Sequence, residues 1–480
     1  MEGYYKNYKL VIVGGGAAAF SAALKAEEYG IKTAMIERKT LGGTCVNVGC
    51  VPSKNLLGVG ESIFSSRNPH YKSILPCEHV FNFSDIISDK NNLVSHLRNE
   101  KYYDVLSSLE NVELLEGNAS FISNKKIKVK AKSSIEDKII LESDKFIIAT
   151  GSSTNIPKFK GIENAEYLTN IEALSLSKKP SSLIIVGGRA LGLEFAQMYS
   201  RLGTNTTLLQ RSDRIIPNHE PEISASLKEY FINEGIEIIT DVSIKELYQK
   251  NETKVVVIEN KYGGKKVIEA EQLLLATGRK ANTEDLHLEN TNVQIRKEDF
   301  SIKVDSEMHT SSNNIWAAGD VIGEPMLETV AAKEGAIASE NALTDSHRKI
   351  DFDIIPSAIF TSPQVASVGI TENQMMEKFG FCSCKTLQMN QVPKAMITNQ
   401  TKGLIKMVVN PKEKNRILGV HILSEMAADI IHEAVFAIKY NLTIDDIIDT
   451  VHVFPTLSES IKIVATSFKK DVKKLTCCAE

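Results

Sequence analysis

The chain has 480 residues, with 56 Lys and Arg against 60 Asp and Glu for a formal charge of −4, and at roughly 150 residues per domain this length holds about three domains. Hydrophobic residues at 42% and charged residues at 24% exclude collagen-like and disordered classes, and the near-neutral balance offers no general field for nucleic acid or anionic lipid. Seven cysteines are too few, and odd in number, for a secreted disulfide scaffold; with no basic, apolar leader and no apolar run near the ~20 residues that span a bilayer, a cytoplasmic protein without membrane insertion is expected.

Lys9 to Val13 reads as a short buried strand, Gly14-Gly15-Gly16 as a turn, Ala17 to Tyr29 as an Ala-rich helix ended by Gly30, and Lys32 to Ile36 as a second strand closing on Glu37. This is a βαβ unit. Charged helical residues follow at about 91–109, strand-like runs at 112–115 and 126–129, and a buried strand ending in Ala149-Thr150-Gly151. The βαβ unit then returns: Leu183 to Val186, Gly187-Gly188, a helix from about Ala190 to Arg201, Gly203, and a strand from Thr206 to Leu209, with an equivalent ending at Leu273 to Gly278. From about Asp353 the texture changes to strands (403–409 and 418–422) followed by helical runs (425–440 and 458–468), with the boundary placed at 346–353. The fold class expected is α/β, with two Rossmann-like nucleotide-binding domains and an α+β C-terminal domain. A lysine-rich stretch at 469–474 leads into Cys477-Cys478.

Gly14-x-Gly16-x-x-Ala19 follows a strand and opens a helix, the context in which glycines let a backbone approach a pyrophosphate and a helix N-terminus faces it. Glu37 ends the second strand, where an acid accepts hydrogen bonds from a ribose. The second loop, Gly187-Gly188-Arg189-Ala190-Leu191-Gly192, has Arg189 in place of the middle glycine. Its strand ends on Gln210 instead of an acid, with Arg211 next and Arg214 nearby. These arginines read as a clamp for the 2′-phosphate of NADP or as a solvated loop end. Cys45 and Cys50 lie in Gly42-Gly43-Thr44-Cys45-Val46-Asn47-Val48-Gly49-Cys50-Val51-Pro52-Ser53-Lys54. Four residues separate the cysteines, so a bridge would close a small ring, and a helix beginning near Pro52 together with Lys54 would favour a thiolate. Taken alone, such a pair also reads as inert thiols or metal ligands.

With these motifs the chain, from about Tyr8 onward, resembles the FAD-dependent flavoprotein disulfide reductases. Further matches are Ala276-Thr277-Gly278-Arg279, Ala318-Gly319-Asp320 and the run from Ile359 to Gly369. The resemblance implies FAD held by Gly14, Gly16, Ala19, Glu37, Gly43, Thr44, Lys54, Thr150, Gly151, Gly319 and Asp320. It implies a pyridine nucleotide at Gly187, Gly192, Glu194, Arg211 and Gly278. Cys45 would be the outer exchange thiol, Cys50 the thiol against the flavin, and Lys54 would pair with Glu194 beside the ring. The implied domains are 1–155 with 280–345 for FAD, 156–279 for NAD(P), and 346–480 as a dimerisation domain carrying the cysteine tail, giving a homodimer.

Two features choose within the family. Thiol-acting members carry a His just before a Pro near the C-terminus; here Pro455 and Glu459 are kept but Phe454 takes the His position, and a phenyl ring cannot move a proton. The Cys477-Cys478 ending resembles that of the mercury-reducing members. Adjacent Cα atoms are about 3.8 Å apart, below the ~4.4 Å minimum usual for a disulfide, so the pair tends to remain a dithiol able to seize a soft cation. The resemblance therefore implies NADPH as reductant and Hg(II) as substrate, caught by Cys477 and Cys478 and passed to Cys45 and Cys50 as metal ligands. Because the chain starts at the first nucleotide-binding strand, metal delivery is expected to rest on the tail. Tyr167 matches a Tyr near the inner thiols of those members, or is a core or interface aromatic. Leu457-Ser458-Glu459 favours an alternative, a dihydrolipoamide dehydrogenase-like reductase, and a flavoprotein that sequesters soft metal without turnover is a third reading. Cys77, Cys382 and Cys384 are read as structural.

Overall fold

The computed structural model describes residues 4–131 and 138–476 and divides into two compact units. The first comprises residues 1–53, 87–157 and 277–351. Its strand Tyr4–Val13 runs parallel to Thr33–Glu37 on one side and Lys138–Ile148 on the other; Val112–Ser123 and Ile315–Ala317 extend the parallel set outward, and Lys126–Ala131 joins it antiparallel. The first strand starts at Tyr4, earlier than its apolar run, because residues 4–8 pair with 139–143. Leu10, Val11 and Ile12 are wholly buried, as expected of a central parallel strand covered on both faces.

The helix Ala17–Glu28 buries Ala18, Ala19, Ala22, Ala23 and Ala26. These small residues let the helix Glu328–Leu343 approach backbone to backbone: a Cβ on Gly335 would stand 2.0 Å from the Ala18 carbonyl oxygen, and Ser339 donates to the Ala22 carbonyl at 2.9 Å. The helical stretch expected at 91–109 begins sooner, at Phe83, and passes through a π-turn at Asn99–Tyr103 before Asp104–Ser107.

The second unit comprises residues 54–86, 158–276 and 352–480. It contains a parallel sheet in the order Gln272–Leu275, Ser182–Val186, Asn205–Leu209, Glu237–Ile239, with Ala190–Arg201 as the crossover helix after the second glycine loop. An antiparallel three-stranded sheet follows at 242–270. The C-terminal residues form a five-stranded antiparallel sheet, Ser357–Ile359, Gln364–Gly369, Arg416–Ser424, Leu404–Asn410 and Cys384–Gln388 in that order. The helices Ala427–Lys439 and Glu459–Thr466 pack Ile430, Ile431, Ala434, Ile461 and Val464 into the same core as Ile405, Met407, Val420 and Ile422 of that sheet. Each of these isoleucine, valine and methionine side chains contributes about 1.5–3 kcal/mol on burial. No helix among the described residues is long and apolar enough to cross a membrane.

Candidate active site

The first unit brings the leading glycine loop and the cysteine string together. Gly43 adopts φ +60°, and a Cβ there would stand 2.8 Å from the Gly16 Cα, so the two loops touch only because both residues lack side chains. Gly16 caps the helix Ala17–Glu28 with no side-chain hydrogen bond, leaving the first-turn N–H groups as donors for an anion. Glu37 lies against Gly15 and accepts the Lys39 N–H at 2.6 Å; burial raises its carboxyl above the usual range, while the N–H groups of Lys39 and Gly15 act in the opposite direction. Thr150 donates to the Asn282 carbonyl at 2.8 Å, and Asn155 N–H to Gly278 at 2.9 Å, which fixes the crossing of the two Ala-Thr-Gly segments. Gly319 N–H donates to Glu334 at 2.8 Å, and Asp320 accepts from Ser152 at 2.6 Å. N–H donors at an uncapped helix start, a glycine cradle and an acceptor carboxylate at the strand end together fit a dinucleotide.

Cys45 lies in the short helix Gly43–Val48, and Cys50 is the first residue of the helix Cys50–Arg67. That helix starts two residues before Pro52, so Cys50 sits at a positive helix end, where a thiolate is favoured. Asn47 braces the string, donating to Leu41 at 2.8 Å and Gly43 at 2.9 Å while accepting from Arg98 at 3.1 Å. Cys45 is half-buried and Cys50 exposed. Their side-chain hydrogen bond pushes the Cys45 thiol far above the usual range, and burial and the Glu328 carboxylate push it further.

Three neighbours of this pair escaped sequence reasoning. Glu328 hydrogen-bonds Cys45 and accepts from the Tyr102 hydroxyl at 3.4 Å; burial raises both groups. Arg279 donates to the Ser152 hydroxyl at 2.6 Å, the Ser152 carbonyl at 2.8 Å and Thr44 at 3.4 Å, and lies 3.7 Å from Asp320. Arg279 stood inside a recognised motif, which was its signal. Glu328 and Tyr102 had none.

In the second unit Lys54 and Glu194 pair at 2.7 Å, as the resemblance implied. The second oxygen of Glu194 accepts the Phe360 N–H at 2.9 Å, and the Lys54 ammonium lies 4.7 Å from the centre of the Phe360 ring. In the second glycine loop, a Cβ on Gly192 would stand 1.8 Å from the Gly187 carbonyl oxygen, so that glycine serves helix–strand packing. Gln210 is buried and takes the place that Glu37 has in the first loop, its Oε1 accepting the Gly188 N–H at 2.8 Å. Arg211 is exposed. Arg214, half-buried, braces its own loop, donating to the carbonyls of Pro217 at 2.7 Å and His219 at 3.5 Å. Tyr167 is half-buried, next to Leu168, which exchanges backbone hydrogen bonds with Leu273 and Leu275. Phe454 is 45% exposed, and two residues earlier His452 is held by Glu433 at 2.9 Å and Thr450 at 3.0 Å. Cys477 and Cys478 lie outside the described residues.

Paired thiols beside one dinucleotide fold and a Lys–Glu pair beside a second define a nucleotide-dependent thiol oxidoreductase. Residues 8–335 match the pyridine nucleotide-disulphide oxidoreductase family and residues 355–465 its dimerisation domain, so the chain belongs to that family, which uses FAD and NAD(P)H. Within it, the chain is similar to the mercuric reductase of Lysinibacillus sphaericus, 40% identical over 98% of this chain and 85% of that protein. It is likewise similar to the mercuric reductase of Streptomyces lividans, 37% identical over 99% of both. Among solved structures, the HOCl-induced flavoprotein disulfide reductase RclA of Escherichia coli, as its Cu(II) complex, matches with a TM-score of 0.85 at 27% identity, covering 97% of this chain and all of that one.

Proposed function

We propose that the protein reduces Hg(II) to Hg(0) at the expense of NADPH, in the sense NADPH + Hg(II) → NADP⁺ + H⁺ + Hg(0). The observation that carries this reading is the near full-length similarity to mercuric reductases. Phe454, where thiol-acting members keep a base, agrees with it. FAD, once bound, supplies the two-electron relay between the nicotinamide and the thiol site. Cys45 and Cys50 bind the metal through two sulfur bonds, releasing their protons, and Glu328 is placed to take the one from Cys45. Cys477 and Cys478 deliver the metal from the partner subunit. Lys54, fixed by Glu194, polarises the flavin ring, and Tyr167 lines the inner metal site. Gly14, Gly16, Ala19, Glu37, Gly43, Thr44, Thr150, Gly151, Gly319 and Asp320 hold FAD; Gly187, Gly192, Gly278 and Arg211 hold the nucleotide, with Gln210 and Arg211 favouring NADPH.

The proposed division is 1–155 with 280–345, 156–279, and 346–480, working as a cytoplasmic homodimer. Val451, Val453, Phe436 and Tyr440, all more than half exposed, supply apolar surface on the dimerisation domain. The deciding experiment measures Hg(II)-dependent NADPH oxidation by FAD-loaded protein in excess small thiol, together with release of mercury vapour. Turnover with vapour, abolished in Cys45→Ala and Cys50→Ala, supports the reading. No vapour, with rapid NAD reduction by dihydrolipoamide, would replace it with the dehydrogenase.

A further inference from the structure

We propose that Cys382, Cys384 and Glu372 form an additional, surface-accessible binding site for a soft thiophilic cation. The two cysteines match no functional position of the redox chemistry, yet the fold turns them toward a common point. Cys384 opens the strand Cys384–Gln388, registered against Val408 of the neighbouring strand, and Cys382 lies two residues ahead of it, before the strand begins. Glu372 opens the helix Glu372–Phe379, whose start is fixed by the capping box of Thr371 and Gln374. The two sulfurs and a Glu372 oxygen all lie within 4.8 Å of one another, and the Cys382 thiol donates to Glu372 Oε1 at 3.2 Å.

The carboxylate is positioned from behind. Its Oε2 accepts from Lys406 Nζ at 2.5 Å, and the same buried ammonium pairs with Glu220 and Glu222, each at 2.9 Å. One ammonium against three carboxylates leaves the cluster formally negative, which attracts a cation. Cys382 is exposed, so the cation reaches the sulfurs without opening the fold.

Two sulfurs and one oxygen are a soft ligand set, unsuited to magnesium or calcium and suited to Hg(II) or Cu(I). For Hg(II) the step is balanced: two S–H bonds break, two S–Hg bonds form, two protons leave, and no oxidation state changes. Because the sulfurs sit on one short segment, the second bond forms at a high effective concentration, which a pair of small monothiols lacks. The site does not depend on the reduction proposed above.

The test uses full-length, FAD-loaded protein in which Cys45, Cys50, Cys77, Cys477 and Cys478 are replaced by Ser, leaving only Cys382 and Cys384. Inorganic Hg(II) is supplied in excess of a small monothiol, and bound metal and intact mass are read after gel filtration. One Hg(II) per chain without an attached monothiol is expected, with retention falling at least about tenfold in Cys382→Ser or Cys384→Ser. Mercury lost to the monothiol, or carried as separate monothiol adducts on each sulfur, overturns the proposal. In otherwise unaltered protein, Cys382→Ser with Cys384→Ser should remove one equivalent of bound Hg(II) and leave metal-free NADPH oxidation unchanged; full retention of that equivalent also overturns it. Failure of the reductase reading would look different: no vapour, with mercury binding at this site intact.

Discussion

Replacing Glu194 by Gln tests the ion pair on which the proposed flavin site leans. The Glu194 side chain is 7% exposed and that of Lys54 32%, and Glu194 engages Lys54 at 2.7 Å and the Phe360 N–H at 2.9 Å. Gln keeps an oxygen for Phe360 but loses the charge opposite the ammonium. At 2.7 Å and an effective dielectric near 20, the bare attraction is about 6 kcal/mol. Desolvation of the carboxylate offsets most of it, and water reaching the one-third-exposed Lys54 takes up more. What remains is the worth of a charged hydrogen bond, about 2 kcal/mol. Lys54→Met removes the same attraction from the other side and keeps an apolar stem near Phe360. The assay is anaerobic stopped-flow reduction of the flavin by NADPH in both single variants and the double. Each single variant should slow the step by about 30-fold, and the double by about the same factor, because the second change has nothing left to break. Single effects that add to within about 0.5 kcal/mol in the double would refute the pair as a functional unit.

In Gln210→Glu, the carboxylate still accepts the Gly188 N–H but adds a negative charge beside the proposed 2′-phosphate site; kcat/KM for NADPH relative to NADH should fall by about 30- to 100-fold, and an unchanged ratio speaks against that site. Glu328→Gln removes a carboxylate that holds the Cys45 thiol up, so the pH profile for alkylation of Cys45 in the reduced protein, followed by peptide mass, should move down by about half to one pH unit; no shift, or an upward one, contradicts the contact. Burial pushes Glu334 up to about 7 from an ordinary 4.5. The folded chain holds that proton more tightly than the unfolded chain, so the stability this group contributes is full at low pH and declines as pH rises toward and through 7. Glu334→Gln, which keeps an acceptor for Gly319, should be more stable than wild type at pH 8 by up to about 3 kcal/mol and equal to it near pH 4, as measured by urea unfolding; equal curves at both pH values would count against the burial argument.

The two glycine loops show why part of this site could be read from sequence. Each depends on backbone approach over a few consecutive residues, Gly14 to Ala19 and Gly187 to Gly192, and on the last residue of the following strand. Glu37 and Gln210 stand at equivalent places and accept a hydrogen bond from equivalent glycines, so spacing alone located both. The Lys54–Glu194 pair was legible only through family likeness, because 140 residues separate its partners. The order of the sheets was less legible still: residues 4–8 carry no apolar run, and their strand exists because 139–143 lie beside them.

Charge networks lie at the far end of this scale. Glu328 and Tyr102 reach Cys45 from sequence distances at which no periodicity connects them, and Arg214, read as part of a nucleotide clamp or as a solvated loop end, braces the carbonyls of its own loop. Cys382 and Cys384 make the same point in reverse. As a bare Cys-x-Cys they carry no meaning, since what distinguishes them is a carboxylate from a helix start, an ammonium from a neighbouring strand, and two further glutamates about 150 residues earlier. A local motif announces where a backbone must bend. The chemistry of a thiol is set by the charges that the fold gathers around it, so cysteines that sequence spacing leaves unassigned become candidates once their neighbours are known.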